Sequence, residues 1–406
     1  MLAMKALDSG FSVRRRMPAL EKTAPSVCAV VLNWNRPDHT LECLDSLLPL
    51  IQKRQLALVV CDNASSDDSI DRIRAWAGRH FHLQTDSLAR LLGDSEPSSE
   101  WDFLLVQTGA NRGYSGGNNV GIRCALGREQ CEFVWILNND VLVHPHALDA
   151  LLACAQQNSH VGVFGSTIVD YYRRDRVQMA GGCRYQPLTT LMNPVGGGRS
   201  LNEVLAGEAD VPLDYIGGAA LFCRAEMLRK VGLFDERFFL YYEETDLARR
   251  ARARGYALRW CQQSLVYHKG GVSTGGRSSV NRKESWRSNY YENLSTLLYT
   301  RKHHPKLLPM AATLRFLGKS LVYLLRRRLR LFSALMTAYR DALTGRQTVV
   351  PTTLPEPTLL ASGSVLRRLP GRKRVEPMDG ACYSVPRPEE RGRFRVAKRL
   401  LENLHR

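Results

Sequence analysis

Two adjacent carboxylates form the first group of residues whose types and spacing could support chemistry. Glu243 and Glu244 stand in the segment EETDLARRARARG, which predicts a helix that starts near Glu244. Neighbouring carboxylates push their pKa values apart, so one of them can stay ionised and act as a general base. The alternative is an ordinary acidic first turn, which the positive end of the helix dipole stabilises.

A further carboxylate, Asp140, follows the apolar run FVWIL and two asparagines, Asn138 and Asn139. A carboxylate fixed at a strand end is a good ligand for Mg²⁺ or Mn²⁺, and such a cation can hold a pyrophosphate. In the alternative interpretation, Asp140 only leads into the next helix. His268, in LVYHKGG, is another candidate, although a single histidine is more often a packed residue than a ligand.

The third group is the glycine-rich segment NRGYSGGNN at 111–119. Glycines let the backbone approach a ligand closely, and a helix that begins there offers free N–H groups to an anion. The spacing is neither GxGxxG nor GxxxxGK[ST], so neither dinucleotide nor P-loop chemistry is supported. A plain loop is the alternative.

An alternation of short apolar runs and amphipathic stretches must position these residues. It predicts βαβ units and a parallel sheet, the α/β class, in which ligands bind beyond the carboxyl ends of the strands. Four consecutive strand ends deliver Asn or Asp to one rim, at Asn33 and Asn35, at Asp62, in the glycine-rich segment, and at 138–140. The predicted strands are 27–32, 56–61, 103–107, 132–137 and 161–165, and the predicted helices are 39–50, 66–78, 116–127 and 146–157.

The remainder of the chain is less regular. DYIGGAALFCR predicts a hairpin, and residues 314–343 predict one or two basic amphipathic helices. Pro, Gly and Arg interrupt every pattern after about 346, which is typical of a flexible tail, with a short helix possible at 394–404. No uninterrupted apolar run of about 18 residues occurs, so we expect no signal peptide and no spanning helix. Ten scattered cysteines without a CxxC pair indicate buried thiols in the cytoplasm.

Charge is distributed unevenly. The net charge is +18, and residues 301–406 contribute 23 basic against 7 acidic side chains. Attraction to a polyanion therefore belongs to the C-terminal part. A nucleic-acid-binding protein is one reading of this charge, but no aromatic-interleaved basic sheet and no RRM, KH or zinc-finger pattern supports it.

Six segments in order carry a resemblance to a known family: VVLNWNR, VVCDNASSDDS, NRGYSGGNNVGI, WILNNDVLV, IGGAALFCRAEMLRKVGLFDERFFLYYEETDLARRARARGY and VYHKGGVS. Over about residues 26–305 the chain resembles glycosyltransferase family 2, most of all the rhamnosyltransferase-like bacterial enzymes of cell-surface polysaccharide assembly. The resemblance implies the GT-A fold and transfer of a sugar from a nucleotide diphosphate with inversion at the anomeric carbon. It divides the chain into an N-terminal extension (1–25), a nucleotide-sugar-binding half (26–165), an acceptor and catalytic half (166–305), a basic helical region (306–345) and a basic tail (346–406).

The resemblance also implies roles for single residues. Asp140 corresponds to the last position of the family's DxD motif and His268 to a downstream metal-binding histidine, so the expected cofactor is Mg²⁺ or Mn²⁺. Glu244 matches the catalytic base, with Glu243 as second choice. The residues expected to bind the nucleotide sugar are Asn33, Asn35 and Asp62 at base and ribose, Asn111, Gly113, Gly117 and Asn118 near the diphosphate, Asn138 in the DxD position, and Gly217 and Gly218 under donor sugar or acceptor.

The partners that the resemblance implies are a nucleotide diphosphate sugar, possibly of rhamnose, and a lipid-linked glycan or saccharide acceptor. We expect residues 314–343 to lie on an anionic membrane surface, at the inner face of the cytoplasmic membrane; the alternative is a helix packed on the catalytic body. No nucleic-acid partner is expected. A nucleotide-sugar-binding protein without activity is the other open reading.

Overall fold

A computed structural model describes residues 26–53, 55–81, 101–270, 285–345 and 358–359 of the chain. These residues belong to one unit, residues 1–362. The strands are β1 Val27–Asn33, β2 Ala57–Asp62, β3 Phe103–Gln107, β4 Phe133–Asn138, β5 Val141–Val143, β6 Val161–Asp170, β7 Val177–Ala180, β8 Gly182–Gln186, β9 Leu191–Pro194, β10 Tyr215–Ile216, β11 Ala220–Arg224, β12 Ala257–His268 and β13 Thr358–Leu359. The α-helices are α1 Pro37–Gln52, α2 Ser69–His80, α3 Gly113–Leu126, α4 Ala147–Gln157, α5 Leu201–Leu205, α6 Ala225–Val231, α7 Glu243–Ala253, α8 Trp286–His303, α9 Leu308–Leu325 and α10 Leu329–Thr344.

A ten-stranded sheet organises the molecule, in the order β13-β3-β2-β1-β4-β11-β6-β12-β5, with β7 paired to β6. β1, β2, β3 and β4 pair in parallel, as do β6 and β12, whereas β11 runs antiparallel to both β4 and β6. The predicted α/β class and mainly parallel sheet are confirmed. Each predicted strand of the first half starts within one residue of an observed strand. β6 extends five residues beyond its predicted end at 165.

Both faces of this sheet are buried, because side chains alternate along each strand. Val27, Ala29 and Val31 of β1 enter one apolar core, which α1 and α4 also line. Cys28 and Val30 of the same strand enter the core on the opposite face. Burial on both faces explains why these strands are almost continuously apolar in sequence.

The hairpin prediction at DYIGGAALFCR was wrong. β10 joins the small antiparallel sheet β10-β8-β9, whereas β11 enters the middle of the large sheet between β4 and β6. Four of the five β11 residues are buried, and a central position in the large sheet covers both of their faces. The glycine turn at 217–218 therefore connects two sheets.

Three helices follow the sheets. α8 and α10 pack together through Tyr290, Leu294 and Leu297 on one side and a row of alanines on the other. The predicted basic helical region is two helices, α9 and α10, separated at 326–328. The predicted N-terminal extension, the short helix at 394–404 and most of the tail lie outside the described residues.

Pro305–Leu325 is long and apolar enough to cross a bilayer by length and composition, the one such helix in the described part of the chain. Passing by length and composition is weak evidence for a span, so the expectation of no spanning helix stays a prediction. The few polar residues of this helix interrupt the apolar run, but the mean hydropathy of the helix stays as high as that of a spanning segment. Only 17% of its most apolar window is buried against the protein.

Candidate active site

An open cavity of about 380 Å³ lies at the ends of β1, β4 and β12, where the first turn of α7 and the start of α8 also converge. Nine of the residues singled out from sequence line it: Asn111, Gly113, Asn138, Asp140, Gly217, Gly218, Glu243, Glu244 and His268. These residues span more than 150 positions of sequence, so the sheet topology brings them together.

Five other candidates do not line this cavity: Asn33, Asn35, Asp62, Gly117 and Asn118. Asn33 and Asp62 are buried and belong to a hydrogen-bonded group that we call the strand-end network, made of Asn33, Thr40, Asp62, Ser65 and Asn139. Asn33 donates to Asp62 (2.8 Å), Thr40 donates to Asn33 (2.6 Å), and Asn139 donates to Thr40 (3.0 Å). The network ties together the ends of β1, β2 and β4.

Asn35 and the glycine-rich helix α3 pack against the strand ends outside the cavity. Asn35 has a φ of 50° and accepts a hydrogen bond from the Ser66 amide (2.7 Å). A Cβ on Gly117 would lie 2.5 Å from Leu32, so glycine lets α3 approach β1. Asn118 is fully buried, donates to the Tyr114 carbonyl, and leaves its own Oδ1 without a partner.

The glycine-rich segment is shaped by Asn63, which donates to Asn111 and to the Gly113 carbonyl, both at 3.1 Å. Gly113 has a φ of 71°, and a Cβ there would stand 2.3 Å from the Phe239 carbonyl oxygen. Only glycine fits this position without moving the backbone. The segment is therefore fixed against the loop that precedes α7.

Glu243 and Glu244 follow two residues whose backbone conformation is unusual. Tyr241 and Tyr242 both have left-handed φ values, 69° and 71°, immediately before Glu243. For bulky residues such conformations cost on the order of 1–3 kcal/mol each and are concentrated at functional sites. Tyr242 is buried, and Tyr241 shares a hydrogen bond with Ser288 (2.7 Å), so packing on both sides holds the turn.

Burial changes the protonation of the pair. Burial first, and the adjacent Glu244 second, raise the pKa of Glu243 well above its ordinary value. Burial raises the pKa of Glu244 to about 7, against the lowering effect of hydrogen bonds from its own backbone and from Glu243. Near neutral pH, Glu243 keeps its proton and Glu244 is the group that ionises. One carboxyl oxygen on each residue has no hydrogen-bond partner.

A third acidic residue in α7, Asp246, is tied to α8 and is fully buried. It accepts hydrogen bonds from His303 (2.6 Å) and Arg250 (2.7 Å) and pairs with Lys302 (2.5 Å). Burial alone would raise the pKa of Asp246, but hydrogen bonds from His303, Lys302 and Arg250 outweigh it and lower the pKa. The acidic residues in the first turn of α7 therefore have two roles: Asp246 holds α7 against α8, and Glu243 and Glu244 line the cavity.

Antiparallel pairing of β5 with β12 brings Asp140 and His268 together: His268 stands opposite Val141, and Lys269 donates its amide to the Asp140 carbonyl. His268 Nε2 lies 3.3 Å from Asp140 Oδ1 without making a hydrogen bond to it. Gln178 on β7 meets the other imidazole nitrogen at 2.9 Å and also donates to the His268 carbonyl. Such a partner fixes the orientation of a metal-binding imidazole.

Sequence reasoning did not single out several cavity residues. Tyr114 lay inside the quoted glycine-rich segment; it donates from its hydroxyl to the Gly218 carbonyl (2.7 Å), and a Cβ on Gly218 would meet Glu244 at 3.4 Å. Gln178 stands 90 positions from its partner His268 and follows no motif. Arg287 follows the last quoted motif by more than ten residues. No local pattern in the sequence could have placed Gln178 or Arg287.

Comparison with known proteins finds a family whose model matches part of this chain. The family model described as glycosyl transferase family 2 matches residues 28–194. Residues 28–194 are thus similar to glycosyltransferase family 2. The matched range holds the strand-end network, the glycine-rich segment and Asp140, and it ends before Glu243 and Glu244. The α/β arrangement expected of a GT-A fold is confirmed for this range.

Two curated relatives are similar to the chain. The low-salt glycan biosynthesis hexosyltransferase Agl10 of Haloferax volcanii is 29% identical over 184 residues, 43% of this chain and 57% of that protein. The N-acetylglucosaminyl-diphospho-decaprenol L-rhamnosyltransferase of Mycobacterium tuberculosis is 25% identical over 271 residues, 61% of this chain and 78% of that protein. The first match thus spans little more than half of the archaeal relative.

Two solved structures resemble the fold at lower similarity. A mannosyltransferase from Pyrobaculum calidifontis, in complex with GDP-Man and Mn²⁺, is 16% identical with a TM-score of 0.45, over 80% of this chain and 89% of that one. TarS of S. aureus, residues 1–349 in complex with UDP-GlcNAc, is 13% identical with a TM-score of 0.46, over 79% and 81%.

The cavity offers two side chains to a divalent cation, Asp140 and His268. Among the described residues, no group of three or more His, Cys, Asp and Glu side chains is arranged so that it could hold a metal ion. Asp140 and His268 do converge, and both the His268 Nε2 atom and Asn138 Oδ1 are buried without a hydrogen-bond partner. Mg²⁺ and Mn²⁺ sites that bind phosphates commonly use one or two protein ligands and complete the shell with phosphate oxygens and water. The residues present fit that arrangement.

Proposed function

We propose that this protein is an inverting glycosyltransferase that moves a sugar from a nucleotide diphosphate donor to a hydroxyl group of a lipid-linked glycan or saccharide acceptor. The observation that carries the proposal is the juxtaposition in one cavity of the pair Glu243 and Glu244 with Asp140 and His268. Sugar transfer from a nucleotide diphosphate needs a base and a diphosphate-holding group that are both within reach of the anomeric carbon.

Glu244 is the proposed general base. The ionised carboxylate takes the proton of the acceptor hydroxyl while the oxygen of that hydroxyl forms a bond to the anomeric carbon. The bond between the anomeric carbon and the donor diphosphate breaks in the same displacement, and the nucleoside diphosphate leaves with the electron pair. A single displacement from the opposite face inverts the anomeric centre. Glu243, which keeps its proton, limits the negative charge beside the base.

The donor end of the cavity is formed by the glycine-rich segment and by Asn138, Asp140 and His268. Asp140 and His268 would hold the divalent cation, Mg²⁺ or Mn²⁺, which neutralises charge on the departing diphosphate. Gly218 keeps the space beside Glu244 open, because a side chain there would contact the carboxylate. The Tyr114 hydroxyl holds the Gly218 carbonyl in place.

Substitution of the base tests the proposal. Glu244→Gln preserves shape but cannot take a proton, so we expect nucleotide-sugar affinity to stay within about twofold and turnover to fall by about 10²-fold or more. Glu226→Gln, an exposed glutamate of α6 paired with Lys230, is the matched control and should keep wild-type turnover. Equal turnover in Glu244→Gln and wild type would refute the assignment.

The donor is proposed to be a rhamnose nucleotide. Support comes from the mycobacterial relative, which is named as an L-rhamnosyltransferase acting on a diphospho-decaprenol. A thermal-shift series with dTDP-, UDP- and GDP-linked sugars measures this directly, since a ligand that binds the folded state raises the melting temperature. A larger shift with another sugar nucleotide would replace rhamnose as the donor.

We further propose that α9 places the enzyme on an anionic membrane surface, at the inner face of the cytoplasmic membrane. The helix is packed with its polar side inward: Arg315 is buried and bonds to Asn293, Thr190 and Glu292 at 2.8–2.9 Å. Lys319 also pairs with Glu292 (2.9 Å). The leucines of α9 lie on the opposite, outer side of the helix.

An apolar stripe therefore faces outward along α9. Leu317 and Leu321 are each 60% exposed and Leu325 is 75% exposed, and Met310 and Leu314 continue the same face at helical spacing. Arginines at 326, 327, 328 and 330 follow the stripe. Leucines that enter the interface beside arginines that meet anionic headgroups are typical of a membrane-surface helix, and each such cation contributes about 1 kcal/mol.

Vesicle sedimentation tests the membrane surface with the full chain. The variant Leu317→Ser/Leu321→Ser should lose binding to phosphatidylglycerol-containing vesicles, whereas Leu191→Ser, exposed elsewhere on β9, should bind as wild type does. Pure phosphatidylcholine vesicles should retain much less protein because the arginines lack anionic partners. Equal sedimentation of all variants, or a stripe covered by a second copy in size-exclusion measurements, would contradict the proposal.

A further inference from the structure

Arg287 is the only Lys or Arg among the described residues that line the cavity. The same lining holds three acidic side chains, Asp140, Glu243 and Glu244. An anionic ligand that enters meets repulsion from each of these that is ionised, and compensation must come from a cation. Among the described residues that line the cavity, that positive side-chain charge is on Arg287.

The guanidinium of Arg287 lies on an aromatic surface. It stands 5.1 Å from the ring centre of Trp34, 5.5 Å from that of Phe239 and 5.8 Å from that of Tyr291. Stacking engages the faces of a guanidinium and leaves its in-plane N–H donors for hydrogen bonds, one of which goes to the Tyr291 hydroxyl. No carboxylate among the described residues forms an ion pair with Arg287. A planar cation held by three rings is thus oriented without its donors being used by an acid.

The start of α8 adds to this positive corner. Arg287 is the second residue of the 18-residue helix, and Ser285 and Ser288 line the cavity beside it. The positive end of a helix dipole favours anions. Of the backbone N–H groups of this first turn, the one of Ser288 is already capped by the Ser285 hydroxyl. Two independent features, a stacked arginine and a helix start, therefore converge at the wall of a cavity that contains unpartnered, buried carboxyl oxygens.

We propose that Arg287 binds a diphosphate group in this cavity. The proposal rests on the proposed function, because it names the residue that recognises a substrate of that same site. Arginine matches two phosphate oxygens at once, which suits a diphosphate better than a single carboxylate or hydroxyl group. The diphosphate is that of the nucleotide donor or that of a lipid-linked acceptor, and the same planar cation recognises either.

Inorganic pyrophosphate is the simplest probe, used on the full chain by calorimetry. Arg287→Met keeps an apolar stem on the rings but removes the charge, so pyrophosphate affinity should fall about tenfold or more. Arg287→Lys keeps the charge without the planar fork, and its loss should be intermediate. Arg74→Met, on the exposed surface of α2, is the matched control and should bind as wild type does.

Two further arms separate the sources of the diphosphate. If the donor is recognised, Arg287→Met weakens nucleoside diphosphate binding about tenfold while nucleoside monophosphate binding stays unchanged. If the acceptor is recognised, the KM for a diphosphate-linked lipid acceptor rises and the KM for the same saccharide without the diphosphate does not. Unchanged pyrophosphate affinity together with unchanged values in both arms would overturn the proposal, as would a wild-type protein that binds no pyrophosphate.

These results are distinguishable from failure of the proposed function. Should Glu244→Gln retain wild-type turnover while Arg287→Met loses pyrophosphate binding, the base assignment falls and the diphosphate site stands. The opposite pair of results would leave the transferase reaction in place and remove Arg287 from phosphate recognition.

Discussion

Two buried polar groups lie at the rim of the same sheet and differ in how their hydrogen bonds are satisfied. In the strand-end network, both Asp62 oxygens accept hydrogen bonds, from Asn33 and from the Ser65 amide. In the carboxylate pair, Glu243 and Glu244 each leave one buried oxygen without a partner. A satisfied buried group stabilises the fold, whereas an unsatisfied one costs free energy unless a ligand supplies what is missing.

The backbone repeats this contrast. The strand-end network joins neighbouring parallel strands in regular register, Asn33 opposite Asp62. The carboxylate pair follows two consecutive residues with left-handed φ and is held by packing against α8. We infer that the first group is built for stability and the second for chemistry, and substitutions can separate the two.

The largest effect is expected from breaking the strand-end network. Asp62→Ala removes the acceptor for Asn33 and Ser65 in a fully buried position and should lower the free energy of unfolding by about 3 kcal/mol. Asp71→Ala, which removes an exposed ion pair with Arg74, should cost less than about 0.5 kcal/mol. Urea titration of both variants checks this, and similar losses for the two would contradict the contrast.

The pH dependence of turnover tests the carboxylate pair. Because the base acts only when ionised and the pKa of Glu244 is raised to about 7, kcat/KM should rise about tenfold per pH unit below pH 7 and level off above it. The measurement is a pH-rate profile at saturating divalent cation. A profile that is already flat from pH 5 upward would show that the essential base has an ordinary carboxyl pKa.

A smaller effect is expected at the metal-binding end of the cavity. Asp140→Ala should weaken Mn²⁺-dependent binding of a nucleoside diphosphate by about tenfold, since one of two protein ligands is removed. Calorimetry with and without Mn²⁺ measures the difference, and His146→Ala, at an exposed position just after β5, serves as control. Identical affinities in the presence and absence of Mn²⁺ for wild type and variant would remove the metal role from Asp140.

The smallest expected effect is an increase in stability when Glu243 is replaced. A carboxyl whose pKa is raised on folding holds its proton more tightly when folded, so the unfolding free energy falls as pH rises above the unfolded value of 4.5. Glu243→Gln removes this penalty and should stabilise the protein by about 1 kcal/mol at pH 7.5 and by much less at pH 4. Thermal unfolding at the two pH values decides, and destabilisation at pH 7.5 would contradict the interpretation.

Local patterns predicted most of the first half of the fold. β1 to β4 are apolar and rich in β-branched residues, and each predicted strand start lies within one residue of the observed one. The start of α7 was also predicted, because an acidic turn followed by a basic one is a signal carried by adjacent residues. The same local reasoning failed at DYIGGAALFCR, since the choice of strand partner depends on distant chain segments.

The site could be predicted in outline but not in detail. The strand-end rule places Asn138 and Asp140 at the cavity, and it applies equally to Asn33 and Asp62, which are buried behind it. Nothing in the spacing of strand-end residues distinguishes a side chain that bonds across to the next strand from one that faces the opening. That distinction depends on hydrogen-bond partners such as Thr40 and Ser65.

The sequence by itself determined the order of strands and helices in the first half, the glycine positions and the residue types available for chemistry, because these depend on side-chain periodicity and backbone freedom over a few neighbouring residues. The tertiary structure alone decided which polar groups are paired, that Gln178 orients His268, that Arg315 turns inward and leaves the leucines of α9 exposed, and that Arg287 joins the cavity wall. Partners as far apart in sequence as Trp34 and Arg287 are chosen by packing of the whole chain, and burial then sets their charge and reactivity.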